Sequence, residues 1–186
     1  MKATGIVRRI DDLGRVVIPK EIRRTMRIRE GDPLEIYTDR EGEVIFKKYS
    51  PIGELNAFAS QYAETIHKTG EINVIICDRD AVIAASGVPK KEYLEKHISP
   101  ELENIIEKRQ LYVYSDGDQR LSPTGDGAQH YIASAMPIIA EGDILGCVVS
   151  LVSAEQSSYR PSEKERSVEV KLVQTAAAFL AKQLES

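Results

Sequence analysis

Pro19 stands between Val16-Val17-Ile18 and Lys20-Glu21-Ile22-Arg23-Arg24, and it limits the local fold more tightly than any other residue of the chain. Proline fixes its own φ, holds the preceding residue extended, and suits the first position of a helix, where its missing N–H is no loss. A strand from Arg15 to Ile18 must therefore end where a helix begins. Upstream, Asp11-Asp12-Leu13-Gly14 is turn chemistry, because a short carboxylate bonds nearby backbone and glycine accepts a positive φ. Thr4 to Ile10 reads as a strand leading into that turn. The helix is expected to run from Pro19 to near Arg29, where Glu30-Gly31-Asp32-Pro33 breaks it. Ile22 and Met26 form its apolar seam, and Lys20, Arg23, Arg24 and Arg27 point elsewhere.

Those bases matter because the chain is otherwise acidic. Over 186 residues the net charge is −4. Residues 1 to 29 hold nine bases against three acids, a balance of +6, so the remainder carries −10. A basic head on an acidic body fits a protein in which one part meets a polyanion and the rest does not. Leu34 to Thr38 and Val44 to Lys48 then form a hairpin around Asp39-Arg40-Glu41-Gly42. About fifty residues bury too little apolar surface to stand comfortably alone, and their strands leave open edges. A second copy would cover both, which predicts an obligate dimer of this unit.

Ser50-Pro51-Ile52-Gly53 marks a boundary. Leu55, Phe58, Ala59, Tyr62, Ala63 and Ile66 then recur at three and four, a helix within 54–68 that Gly70 stops. Ile72 to Cys77 and Ala81 to Ser86 make a second hairpin. Residues 90 to 110 are helical, split at Pro100, with Ser99 as cap. Leu111 to Tyr114 is a short strand, and 115 to 129 is a long polar loop. His130 to Ala140 and Ile144 to Ser153 are long strands. Ser162 opens the last helix with Glu165 in capping-box spacing, and Val168, Leu172, Ala176, Phe179, Leu180 and Leu184 form its seam. Helices on an antiparallel sheet make the class α+β.

Lys2-Ala3-Thr4-Gly5-Ile6-Val7-Arg8-Arg9-Ile10, then Asp12-Leu13-Gly14-Arg15-Val16-Val17-Ile18-Pro19 and Ile22-Arg23-Arg24-Thr25, closely resemble the AbrB family of bacterial transition-state regulators. The likeness continues through Gly31-Asp32, Leu34-Glu35-Ile36-Tyr37 and Phe46-Lys47-Lys48-Tyr49. Joined to a longer second domain, this start is similar to the family's regulators of sporulation genes. The resemblance implies an N-terminal swapped-hairpin β-barrel formed by dimerisation over 1–50, a linker and connecting helix over 51–69, and a GAF-like sensor or oligomerisation domain over 70–186. It implies double-stranded promoter DNA as partner, met by Arg8, Arg9, Arg15, Arg23 and Arg24. It also implies a homodimer through the first domain, with a tetramer through the second as the further assembly. Such sensor domains take small molecules, but no residue here identifies a ligand. An antitoxin-type DNA-binding protein is the rival within this class.

Enzyme chemistry finds little footing. His67, His97 and His130 lie in unrelated contexts without ligand or triad spacing. Cys77 and Cys147 read as small buried hydrophobes, and a thiol-dependent enzyme would need them to meet across the sheet and be exposed. Asp116, Asp118 and Asp126 lack the spacing and closing glutamate of a calcium loop, so a solvated loop is expected and no metal. With no secretory leader and no apolar run near the roughly 18 residues of a membrane span, the expected place is the cytoplasm, with no membrane partner.

Overall fold

The computed structural model describes residues 5–54, 56–125, 129–155 and 161–185. Leu55, Asp126 and the first residue of the strand expected at Thr4 lie outside them. The chain separates into two compact units, residues 1–49 and 50–186.

In the first unit, helix α1 (Lys20–Thr25) starts directly after Pro19, which stands at its N-cap. It is shorter than its basic run suggests. Arg27 takes a left-handed φ of 51°, and the Ile28 N–H reaches back to the Arg23 carbonyl at 2.7 Å. That 6→1 bond closes the helix, with arginine where glycine is usual. Arg27 is therefore off the helix. Strands β1 (Leu34–Thr38) and β2 (Val44–Lys48) pair antiparallel, Ile36 opposite Phe46. The Asp39 carboxylate accepts the Glu41 and Glu43 N–H groups at 2.9 Å and closes their turn.

Residues 5–10 and 15–18 do not form the two strands expected of them. They run extended on either side of the Asp11 turn, and the hairpin β1–β2 is the whole of this unit's sheet among the described residues. Their apolar side chains stay in solvent, Val7 at 85% and Val17 at 71% exposure. Met26, assigned to a helix seam, is 54% exposed. An extended segment becomes a strand only where a neighbour takes its N–H and C=O groups. Among the described residues neither segment is paired into such a ladder.

The second unit opens with a helical turn, α2 (Pro51–Glu54), where a break and a linker were expected. Ile52 is fully buried in the core of this unit, and its anchorage outweighs the breaker composition around it. Helix α3 (Asn56–Gly70) follows, then strands β3 (Asn73–Asp78) and β4 (Val82–Ser86), helices α4 (Lys90–Tyr93) and α5 (Pro100–Glu107), and strand β5 (Tyr112–Val113). Strands β6 (His130–Ala140) and β7 (Asp143–Ser153) and helix α6 (Glu163–Leu184) complete it. The strands form one antiparallel sheet in the order β4-β3-β7-β6-β5. Its spine is the β6–β7 pair, turned by Glu141 and Gly142, both at positive φ as a tight hairpin turn requires. The expected α+β class, helices on an antiparallel sheet, is what the unit shows.

Each face of the sheet has its own core. Helices α3 and α6 cover Val74, Ile76, Ile138 and Val148. On the other face, Tyr93 of α4 and Leu102, Ile105 and Ile106 of α5 cover Ile75, Ile132 and Val149. Two sequence-read caps hold the covering helices. Ser99 Oγ accepts the Leu102 N–H with Pro100 in the first turn, and Ser162 and Glu165 form a full capping box.

Helix α6 is rotated from its expected seam. Its buried residues are Glu169, Val173, Ala176, Ala177, Leu180 and Ala181, whereas Val168 and Phe179 face outward. The small residues let the helix lie close on the sheet, and the outward face stacks Phe179 with Tyr62 and Phe58 of α3. Glu169 is tolerated inside because Ser150 Oγ donates to its Oε1, and Ser150 and Ser134 share a hydrogen bond of 2.7 Å. Loop 115–125 is also less solvated than expected: Arg120 lies 4.7 Å over the Tyr131 ring, Ser99 Oγ donates to the Ser122 carbonyl at 2.6 Å, and Thr124 is buried.

Strands β7 and β3 approach closely at Gly146, where a Cβ would lie 2.0 Å from the Cys77 carbonyl oxygen. Backbone cannot yield that far cheaply. Gly146→Ala is expected to cost about 3 kcal/mol or more, at the upper end of overpacking effects. Gly125→Ala, where a Cβ meets nothing within 4 Å, is expected to be nearly silent. Thermal denaturation of the two variants beside the parent checks both.

Candidate nucleic-acid interface

The loop at Asp11 is closed by its own carboxylate. Oδ1 accepts the N–H of Leu13 at 3.0 Å and of Arg15 at 2.7 Å. Oδ2 accepts Arg15 Nε at 2.8 Å. Backbone bonds repeat the closure, Gly14 N–H to the Asp11 carbonyl and Asp11 N–H to the Arg15 carbonyl, each 3.0 Å. Gly14 supplies the positive φ of 75° that the turn needs. The Arg15 side chain remains 69% exposed. The Arg15 N–H and guanidinium hold the Asp11 carboxyl below the ordinary aspartate value.

A second carboxylate fixes the end of α1. Asp32 Oδ2 accepts the Arg29 N–H at 2.8 Å and lies 3.5 Å from Lys48 Nζ on β2. Lys48 also donates to the Arg27 carbonyl at 2.8 Å. The Asp32 side chain is only 4% exposed, so the link works largely away from water and ties the left-handed exit of α1 to the hairpin. Beside it, Lys47 Nζ stands 4.5 Å over the Tyr37 ring.

The five arginines expected to meet DNA are all on the surface: Arg8 and Arg9 in the extended segment before the Asp11 turn, Arg15 directly after it, Arg23 and Arg24 on α1. Arg8, Arg9, Arg23 and Arg24 have no ion pair among the described residues. Sequence reasoning found the turn at Asp11 but missed its grip on Arg15. The signal was present, an acid and an arginine four residues apart across a glycine turn. It gave no sign of the Asp32–Lys48 link, whose partners are sixteen residues apart.

The groups considered for catalysis are scattered. His67 Nδ1 contacts the Ile72 carbonyl at 2.9 Å, His97 Nδ1 the Asp80 carbonyl at 3.2 Å, and His130 Nδ1 the Tyr93 hydroxyl at 2.8 Å. Burial lowers the His130 pKa and raises that of Tyr93 to about 12. Cys77 and Cys147 do meet, as direct partners across β3 and β7. Both are fully buried, and desolvation pushes both thiols up, away from the reactive thiolate. Among the described residues, no cluster of three or more His, Cys, Asp or Glu could hold a metal, and no helix is long and apolar enough to cross a membrane.

Comparison with known proteins extends these observations. Residues 54–185 match the family model described as stage V sporulation protein T C-terminal, transcription factor. Over 185 residues the chain is 53% identical to stage V sporulation protein T of Bacillus subtilis (strain 168), covering 100% of this chain and 99% of that one. The chain belongs to the stage V sporulation protein T family. Over 51 residues the chain is also 65% identical to the transition state regulatory protein AbrB of the same organism, 27% of this chain and 52% of that one. This carries the expected AbrB likeness of the first fifty residues within a sporulation-protein family.

Residues 7–53 match the model for antidote-toxin recognition MazE, bacterial antitoxin. That match ends at residue 53, just inside the second unit, so the antitoxin reading has no account of residues 54–185. Among solved structures, the N-terminal DNA recognition domain of Bacillus subtilis AbrB is 63% identical, with a TM-score of 0.25 over 27% of this chain and 94% of that one. The GAF domain/HD domain protein from Geobacter sulfurreducens is 18% identical, with a TM-score of 0.48 over 75% and 99%.

The Asp11 turn has a defined pH response. A carboxyl with a depressed folded pKa contributes above its unfolded value and loses that contribution as pH falls through the folded one. The loop is therefore expected to stay closed through pH 3.8, the ordinary value, and to open only below it. Carbon-13 NMR titration should place the Asp11 carboxyl below 3.8, and Arg15→Ala should move it back towards that value.

Proposed function

We propose that this DNA-binding transcriptional regulator of sporulation genes meets double-stranded promoter DNA with Arg8, Arg9, Arg15, Arg23 and Arg24 from two copies of its first unit, paired as a homodimer in the cytoplasm. The observation that carries the reading is the coincidence, in residues 5–49, of exposed arginines with exposed apolar side chains. Val7, Ile10, Leu13, Val17 and Ile36 are all more than 60% exposed. A monomer would keep them in water, whereas a second copy buries them and gives the extended segments a partner. Swapping hairpins between two copies into one barrel satisfies both demands. It sets the arginines on a two-fold surface that matches the symmetry of a duplex site.

We place the division of labour near residue 50, with residues 70–186 as the part that adjusts binding. The aromatic cluster of Phe58 and Tyr62 on α3 with the partly exposed Phe179 on α6, ring centroids 5.2 to 6.4 Å apart, fits a second pairing between copies and hence a tetramer. A ligand that changed this pairing would change the population of the DNA-competent state.

Phosphate contacts supply affinity without sequence information, and bases are read in the groove. Arg15→Ala and Arg24→Ala are each expected to abolish promoter binding in fluorescence anisotropy, with the dimer intact by light scattering. Near-normal affinity in both variants would remove this reading of the site. Neutralising about 6 to 10 phosphates makes the wild-type affinity fall roughly 10³- to 10⁵-fold between 50 and 200 mM salt. A flat salt response in the same assay would count against an arginine–phosphate interface.

A further inference from the structure

Asp11 stands in an unexpected place. Among the first 29 residues three are acidic, and one of them grips an arginine proposed to meet DNA. A carboxylate beside a phosphate-binding arginine repels the duplex and lowers its effective charge, so a surface made only for affinity would do better without it. Asp11 is more than a turn residue, because its two oxygens are used differently. Oδ1 takes the backbone N–H groups of Leu13 and Arg15, and Oδ2 takes Arg15 Nε. The carboxylate is thus fixed by the backbone and in turn fixes a side chain.

We propose that Asp11 is a positioning residue for base readout, holding Arg15 by Nε so that the two terminal guanidinium nitrogens face a guanine edge in the major groove as a fork. This rests on the DNA-binding reading above. A guanidinium carries five N–H donors in one plane, and engaging the Nε side leaves the terminal pair with a set direction. That pair matches O6 and N7 of guanine, the commonest specific arginine contact. Without the hold, a side chain this exposed swings to the nearest phosphate, which carries no sequence information. Asp11 exchanges some electrostatic affinity for direction, and direction is what separates one duplex from another.

The test uses the full-length protein and two labelled duplexes of equal length and composition. One is enriched by the wild type from a random library, and the other is its scrambled counterpart. Asp11→Asn keeps an oxygen that can accept the Leu13 and Arg15 N–H groups and removes the charge that holds Nε. Its binding to the scrambled duplex is expected to be unchanged or tighter and to the enriched one weaker, so the specificity ratio falls about 10-fold or more, the scale of one bidentate base contact. Arg15→Lys keeps the positive charge and lacks Nε. It should lose a similar share of the ratio, and the double variant should lose little more than either single one.

Equal weakening of both duplexes by Asp11→Asn would mean that the turn alone matters and would overturn the inference. A wild-type ratio in Arg15→Lys would overturn it too, even if Asp11→Asn failed to fold. A wild type that does not discriminate between the duplexes would instead bring down the proposed function itself.

Discussion

A chain of about fifty residues that lays out extended segments on both sides of a turn leaves apolar side chains in water and those segments outside any described sheet, and the features of the first unit follow from that shortage. Its described sheet has two strands, and a two-stranded hairpin is marginal by itself in water. What order the unit has comes from local closures: Asp11 around its turn, Asp39 around the hairpin, Asp32 with Lys48 beneath the end of α1. These are hydrogen bonds and ion pairs involving charged groups, each of modest net worth. They shape the segments without covering them, and the proposed second copy is the source of the missing burial.

The second unit meets the same requirement within one chain. Strands of eleven residues, β6 and β7, form a spine long enough for helices on both faces, so apolar surface is covered on each side. Its buried polar groups find partners within the unit: Glu169 in two serines, Tyr93 in His130, and the Ser99 hydroxyl in the Ser122 carbonyl while it caps α5. A buried carboxylate on the sheet-facing side of α6 also limits how that helix can rotate, since a turned helix would leave Glu169 without Ser150. The rotation leaves Phe179 partly exposed beside Tyr62 and Phe58 of α3, the cluster proposed to pair between copies.

What the sequence made legible were devices confined to a few residues. The Ser162–Glu165 box, the Ser99–Pro100 start and the Pro19 start are written in neighbouring side chains, and each is found in place. The hairpins were legible too, since alternation and turn residues lie together. Features that depend on distant or missing partners were not. The segments at 5–10 and 15–18 have strand composition but are not paired into a sheet among the described residues. The end of α1 depends on Arg27 adopting a left-handed φ, which an arginine does not advertise. Pro51–Glu54 looks like punctuation, yet Ile52 is pulled into a core by residues more than eighty positions away in β7 and α6. The seam of α6 was misphased because a glutamate sat where the sheet required it, and only the two serines on other strands explain that. At the candidate site the same division holds, for the arginines were legible as charge and the direction of Arg15 was not.

Charge itself is partitioned with a consequence for recognition. Like charges crowded on a small unit repel one another and oppose compaction. Two of the first unit's acids offset this at specific points, Asp11 at Arg15 and Asp32 at Lys48. The offset is local, so it does not cancel the basic surface. It divides the bases instead into two kinds. Lys48 is drawn inward and holds the hairpin, Arg15 is held by Asp11, and Arg8, Arg9, Arg23 and Arg24 are exposed with no ion pair among the described residues. Freedom suits contact with phosphate, which recurs along any duplex and tolerates many geometries. A held guanidinium suits a base edge, which occurs at one place and admits few. On the proposed reading, a unit that mixes one held arginine with four unpaired ones finds DNA through the many and chooses among sequences through the one.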